Sequence, residues 1–212
     1  MVVYENLLCY NILMKSLFSI AFLLAIFTPV NALPKYTITA VFNPTTKTIT
    51  GKMQITFTNT SSTALKEIKI LNFPHSYKEE STSLTEVNFE QLYPEKFNPG
   101  FMDITVKDQK ESLQYEKPYQ ASISLVEPLK PHEEISIALF FNVQIPEKFG
   151  IFGSYKDTFN LTAQWYPNLC SLENSGWNCK APPDTSSFTI DLSLPEHYTT
   201  ILTELCTALS FG

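Results

Sequence analysis

The feature that most constrains this chain is the period of its apolar residues, which from Tyr36 onward is two rather than 3.6. Side chains on an extended strand point alternately to opposite faces, so each strand buries one face and wets the other. Tyr36, Ile38, Ala40 and Phe42 share one face and Thr37, Thr39 and Val41 the other, before Asn43-Pro44 breaks the run. Ile49, Gly51, Met53, Ile55 and Phe57 then alternate with Thr50, Lys52, Gln54, Thr56 and Thr58, and Asn59-Thr60-Ser61-Ser62 closes the run as a turn. The two runs predict an antiparallel hairpin joined by a loop of about five residues.

A third strand is expected from Leu65 to Leu71, and residues 72–100, rich in Ser, Thr, Glu, Asn and Pro, read as surface loop. Alternation returns in Met102, Ile104 and Val106, and again in Ala121, Ile123 and Leu125. Its strongest stretch is Ile135, Ile137, Leu139, Phe141, Val143 and Ile145, which Pro146 ends. Phe159, Leu161, Ala163 and Trp165 form another such set, and Phe188, Ile190, Leu192 and Leu194 the last. No strong helical period appears. Strands with one polar face each require a second apolar layer, so the predicted fold is all-β, an antiparallel β-sandwich of two packed sheets. A closed barrel satisfies the same periodicity.

Residues 1–32 read as a leader. Met14 and Lys15 open a basic region, residues 17–27 form an apolar run, and Pro29, Val30 and Ala32 precede a cleavage point after Ala32. The run covers 27 − 16 = 11 residues, where a membrane span needs about 20. The expectation is a secretory signal helix beginning at Met14, with residues 1–13, including Cys9, as an upstream extension. An uncleaved anchor is the alternative and the one route to a membrane. A secreted or periplasmic location follows, with 212 − 32 = 180 residues left to fold, enough for one well-buried domain.

The net charge is −6, and all 15 basic residues are Lys. Without Arg, the planar fork that clamps phosphate or guanine is missing, which argues against a nucleic-acid partner and against phosphate chemistry. Three cysteines lie beyond residue 32. Cys170 and Cys179 are close enough to close a small disulfide loop in an oxidising compartment, and Cys206 is left over. Two free thiols or a metal site are the alternatives, although His75, His132 and His197 stand apart.

The order of these pieces resembles the N-terminal domain of the aminopeptidase N and leukotriene A hydrolase-like gluzincin metallopeptidases. The resemblance covers residues 36–198. Its carriers are the opening Y-T-I-T-A-V-F-N-P-T-T-K-T-I-T-G-K-M-Q-I-T-F-T-N-T-S, the turn Leu129-Lys130-Pro131 before a long strand, Phe149-Gly150, and the block Gln164-Trp165-Tyr166-Pro167 with Gly176-Trp177 after it. It implies a saddle-like β-domain, residues 33–198, packed on a separate catalytic domain that holds zinc and meets peptide substrate. Residues 199–212 diverge from the pattern and read as a truncated tail. The family's H-E-x-x-H helix and G-x-M-E-N loop do not occur in the sequence, so no cofactor and no catalytic or metal-binding residue is expected in this chain. The nearest string, His132-Glu133-Glu134-Ile135-Ser136, puts Ser136 at the second ligand position and runs into a strand.

Trp165, Tyr166 and Trp177 are the candidate interface aromatics, for packing against a neighbouring domain or as a ligand platform. Asn59-Thr60-Ser61 and Asn160-Leu161-Thr162 match the glycosylation pattern. Two functions are consistent with the sequence: a non-catalytic accessory domain that shapes the cleft of a zinc aminopeptidase, or a free-standing exported sandwich for adhesion, scaffolding or ligand binding.

Overall fold

In the computed structural model the described residues are 33–81, 86–107, 113–117, 119–162, 164–181, 183–196, 198 and 209–210. The leader expected over residues 1–32 lies outside them. The first strands are β1 (Lys35–Asn43), β2 (Thr48–Thr58), β3 (Leu65–Leu71), β4 (Phe101–Val106), β5 (Leu113–Lys117), β6 (Gln120–Leu129) and β7 (Glu134–Gln144), all but β5 built on alternating runs. Short strands follow: β8 (Gly153–Tyr155), β9 (Thr158–Asn160), β10 (Asn168–Leu169), β11 (Ser171–Glu173) and β12 (Gly176–Asn178). The series closes with β13 (Ser187–Ser193) and β14 (Leu209–Ser210).

One sheet has the order β14-β13-β1-β2-β7-β4, and the other β10-β3-β6-β5. Two small hairpins, β8-β9 and β11-β12, stand beside them. The predicted hairpin forms with Lys35 opposite Thr56 and Asn43 opposite Thr48. Its turn is tight: Asn43 Oδ1 accepts from Thr45 N and Thr46 N, and Lys47 takes a positive φ of 53°. The apolar face of every long strand turns inward, from Tyr36, Ile55, Leu139 and Val143 in the larger sheet to Ile68, Ile70 and Ile123 in the smaller. Two sheets with separate edges make this a sandwich and not a closed barrel. At one side the edges are tied together, since Ile104 N of β4 donates to the Tyr115 hydroxyl of β5 at 3.4 Å.

Three sequence expectations are corrected and one strand is added. The larger sheet is mixed, because β13 runs parallel to β1 with Lys35 opposite Ser187, and β14 runs parallel to β13. Parallel neighbours need a long crossover, and here the crossover is most of the domain, which alternation cannot reveal. Residues 72–100 contain a 3-10 helix, Phe73–Tyr77, and a helix α1, Glu86–Leu92. Asn72 caps the first by accepting from His75 N, and Pro74 stands where a missing amide is harmless. β5 went unread, since four of its five residues are exposed and it carries no alternation. The expected strand from Phe159 to Trp165 ends at Asn160, whose side-chain oxygen accepts from Thr162 N and turns the chain.

Candidate functional site

The larger sheet has six strands and the smaller four, and a chain of aromatic rings packs along β1 and β13 of the larger. Phe42 of β1 meets Phe159 and Tyr198 edge-on, with centroids 4.7 and 5.5 Å away. Tyr36 stacks on Phe188 at 4.7 Å, Phe188 touches Tyr166 at 5.6 Å, and Tyr166 stands at 84° to Trp165. Trp165 in turn covers Phe141, 6.2 Å away. Phe141 lies directly over Gly51, where an added β-carbon would overlap the ring. The inner rings are buried, whereas Phe159, Trp165, Tyr166, Phe188 and Tyr198 are half-buried. Among the described residues, a core is thus roofed by rings that keep one side toward solvent.

The segment carrying Trp165 and Tyr166 is pinned by one buried phenol. Tyr36 Oη donates to Asn168 Oδ1 at 2.6 Å and accepts from Leu169 N at 3.0 Å. Burial pushes its pKa well above the ordinary tyrosine value.

Trp177 is placed elsewhere. It packs edge-on against Phe57 at 5.6 Å and donates its indole N–H to the Glu67 carbonyl at 2.9 Å, toward the opposite end of β2 from the Gly51–Phe141 contact. The three candidate aromatics therefore do not form one platform: Trp165 and Tyr166 belong to the roof, and Trp177 to the β11-β12 hairpin. Cys170 and Cys179 are joined by a disulfide that closes this hairpin. Together with Leu65, Lys66 and Glu67 of β3 and Ser124 of β6, Gly176 and Trp177 line a shallow groove of about 550 Å³. Lys69, which also lines it, pairs with Glu67 at 2.9 Å and with Glu116. Burial works to lower the Lys69 pKa, and the two carboxylates outweigh it and hold the group protonated.

A buried lysine packed against an aromatic ring carries no signal in the sequence pattern. Lys148 is 4% exposed, donates to the Phe149 carbonyl at 2.8 Å, and lies 4.6 Å from the Tyr77 ring centroid. Burial lowers its pKa. The nearby sequence carries the exposed side chains Phe149, Ile151 and Tyr155, and the Phe149 and Tyr155 rings meet at 4.8 Å.

His132 sits in the β6-β7 turn at a φ of +66°, and Glu133 Oε2 closes that turn by accepting from Lys130 N at 2.8 Å. Ser136 Oγ is bonded to Gln54 and Thr56. These residues do not fit a zinc site. Among the described residues no group of three or more His, Cys, Asp or Glu is placed to hold a metal ion. Of the two glycosylation patterns, Asn59 is fully buried, with its amide donating to Thr63 O and Leu129 O, so in the folded chain it serves as a structural bracket. Asn160 is exposed.

No family model matches this chain, and no curated protein matches it. Solved structures do superpose. An M1 zinc metallopeptidase from Deinococcus radiodurans gives a TM-score of 0.33 at 13% identity, over 55% of this chain and 20% of that one. A two-domain M1 zinc metallopeptidase bound to L-arginine gives 0.38 at 15% identity, over 75% and 31%. The same kind of enzyme bound to L-tryptophan gives 0.37 at 14% identity, over 75% and 32%. The chain spans between a fifth and a third of the length of these enzymes. Similarity at this level carries no argument about activity.

Proposed function

We propose that this chain is the non-catalytic accessory β-domain of a zinc metallo-aminopeptidase-like protein, exported and docked through its aromatic roof on a catalytic domain that holds the zinc. The observation that carries the reading is the roof itself. A lone sandwich gains by burying its large rings, and half-buried Trp165, Tyr166, Phe159, Phe188 and Tyr198 keep area in reserve for a partner. The order of motifs from Tyr36 to Tyr198 supports the choice of partner, and the Cys170–Cys179 disulfide is consistent with an oxidising compartment. The domain's task in this reading is to shape the cleft, and peptide substrate meets the chain through the catalytic partner.

The test is to sequence past the Gly212 codon in three frames and co-express this chain with any downstream product carrying H-E-x-x-H. A stable complex that Trp165→Ala and Tyr166→Ala weaken is the expected result. No such product in the locus, with the purified chain monomeric, overturns the reading in favour of a free-standing β-domain.

A further inference from the structure

The β11-β12 hairpin is held to the fold at few points. Its strands pair with each other over Ser171↔Asn178, Leu172↔Trp177 and Glu173↔Gly176, and two short strands alone are marginal in water. Asp184 accepts from Ser171 Oγ and Leu172 N, at 2.8 and 3.0 Å. At the tip Ser62 Oγ donates to Asn174 O at 3.4 Å, Leu172 rests against the core, and Trp177 is held through Phe57 and the Glu67 carbonyl.

That carbonyl lies on the outer edge of β3. β10 pairs with this edge at Leu71 and Ile70, and Cys170 N donates to Lys69 O at 3.0 Å. At Glu67 the main chain has already turned away into the hairpin, and an indole N–H replaces the next backbone donor. Trp177 thus blocks a strand edge that would otherwise be open to pairing. The hairpin that carries it is closed covalently, and the two ends of the closure differ in access: Cys170 is 1% exposed, and Cys179 is half-buried.

We propose that the Cys170–Cys179 disulfide is a redox latch, and that a dithiol opens it to release Trp177 and expose the β3 edge at Glu67. One thiolate of the dithiol attacks the Sγ of Cys179, the less buried of the two residues, and Cys170 leaves as a thiolate that takes a proton. The second thiol of the reagent then attacks the mixed disulfide and frees Cys179 as a thiol. Two electrons pass to the protein, and the reagent ends as a cyclic disulfide. The hairpin, left with its three paired positions, the Asn178–Glu173 side-chain bond, Asp184 and the long Ser62–Asn174 bond, swings off the groove while the two sheets stay closed.

The measurement is amide and indole hydrogen exchange by NMR on the full chain, with and without dithiothreitol, with reduction verified by alkylation and mass. The protein has two tryptophans, and Trp165→Phe assigns their indole signals. On reduction the Trp177 indole and residues 171–178 should exchange at least about tenfold faster, while the Trp165 indole and the β7 amides stay unchanged. The Cys170→Ala/Cys179→Ala variant should reproduce this without reagent, and if it does not fold, the reduced natural chain still decides. Unchanged Trp177 exchange in fully reduced protein overturns the latch. So does simultaneous loss of protection at Trp165 and β7, which would make the disulfide a staple of the whole fold.

Discussion

Tyr36 shows how much one side chain does here. Its hydroxyl satisfies Asn168 and Leu169 at once, 132 and 133 residues away in sequence. Tyr36→Phe leaves both buried partners short of a bond and should cost about 1–3 kcal/mol in urea unfolding. Its folded pKa lies above the unfolded value of about 10, so above that pH the folded state holds the proton that the unfolded state has lost. Stability falls as pH rises through that window, and Tyr77, Tyr93 and Tyr115, also raised by burial, add to the fall. The fall should be shallower in Tyr36→Phe. Lys148 has the opposite sign. Its depressed pKa means the unfolded state binds the extra proton up to about pH 10.4, so its contribution rises with pH there, and Lys148→Met should flatten that rise in denaturant curves taken between pH 8 and 10. Gly51→Ala should cost about 1–3 kcal/mol, because Phe141, 2% exposed, has nowhere to move.

At the level of elements, the long strands were legible because alternation is a direct image of a half-buried surface. β3 matches its expected bounds, and in β7 Ile137, Leu139, Phe141 and Val143 are buried as the period requires. Leu139→Ala should accordingly cost about 2–5 kcal/mol by thermal or urea unfolding, whereas Val126→Ala, at a site 68% exposed, should change little. What escaped were features set by partners rather than by period. The parallel β1-β13 pairing depends on chain path, and the 3-10 helix on a cap by Asn72. The end of β9 depends on a side chain folding back from Asn160. The candidate aromatics were readable one by one, but their division between roof and hairpin was not, since sequence distance says nothing about which end of β2 each ring meets.

For the molecule as a whole, the roof separates two kinds of apolar area. Trp165→Ala removes a half-buried ring, so it should cost less than the roughly 3–5 kcal/mol of a fully buried aromatic, while visibly lowering binding of a hydrophobic dye to the native protein. A fully buried control such as Ile55→Ala should do the reverse: a large stability loss with native-state dye binding unchanged. The closure of the larger sheet carries a different consequence. Lys35 pairs with Ser187, a separation of 187 − 35 = 152 residues, and β1 is paired with β13 from Lys35 to Val41. Non-local pairing of this kind slows folding. While the chain grows on a ribosome, the β13-facing edge of β1 must wait until that last long strand has emerged. A polypeptide built this way stays incompletely zipped for most of its synthesis, the condition in which a chain can still be threaded through a translocation channel.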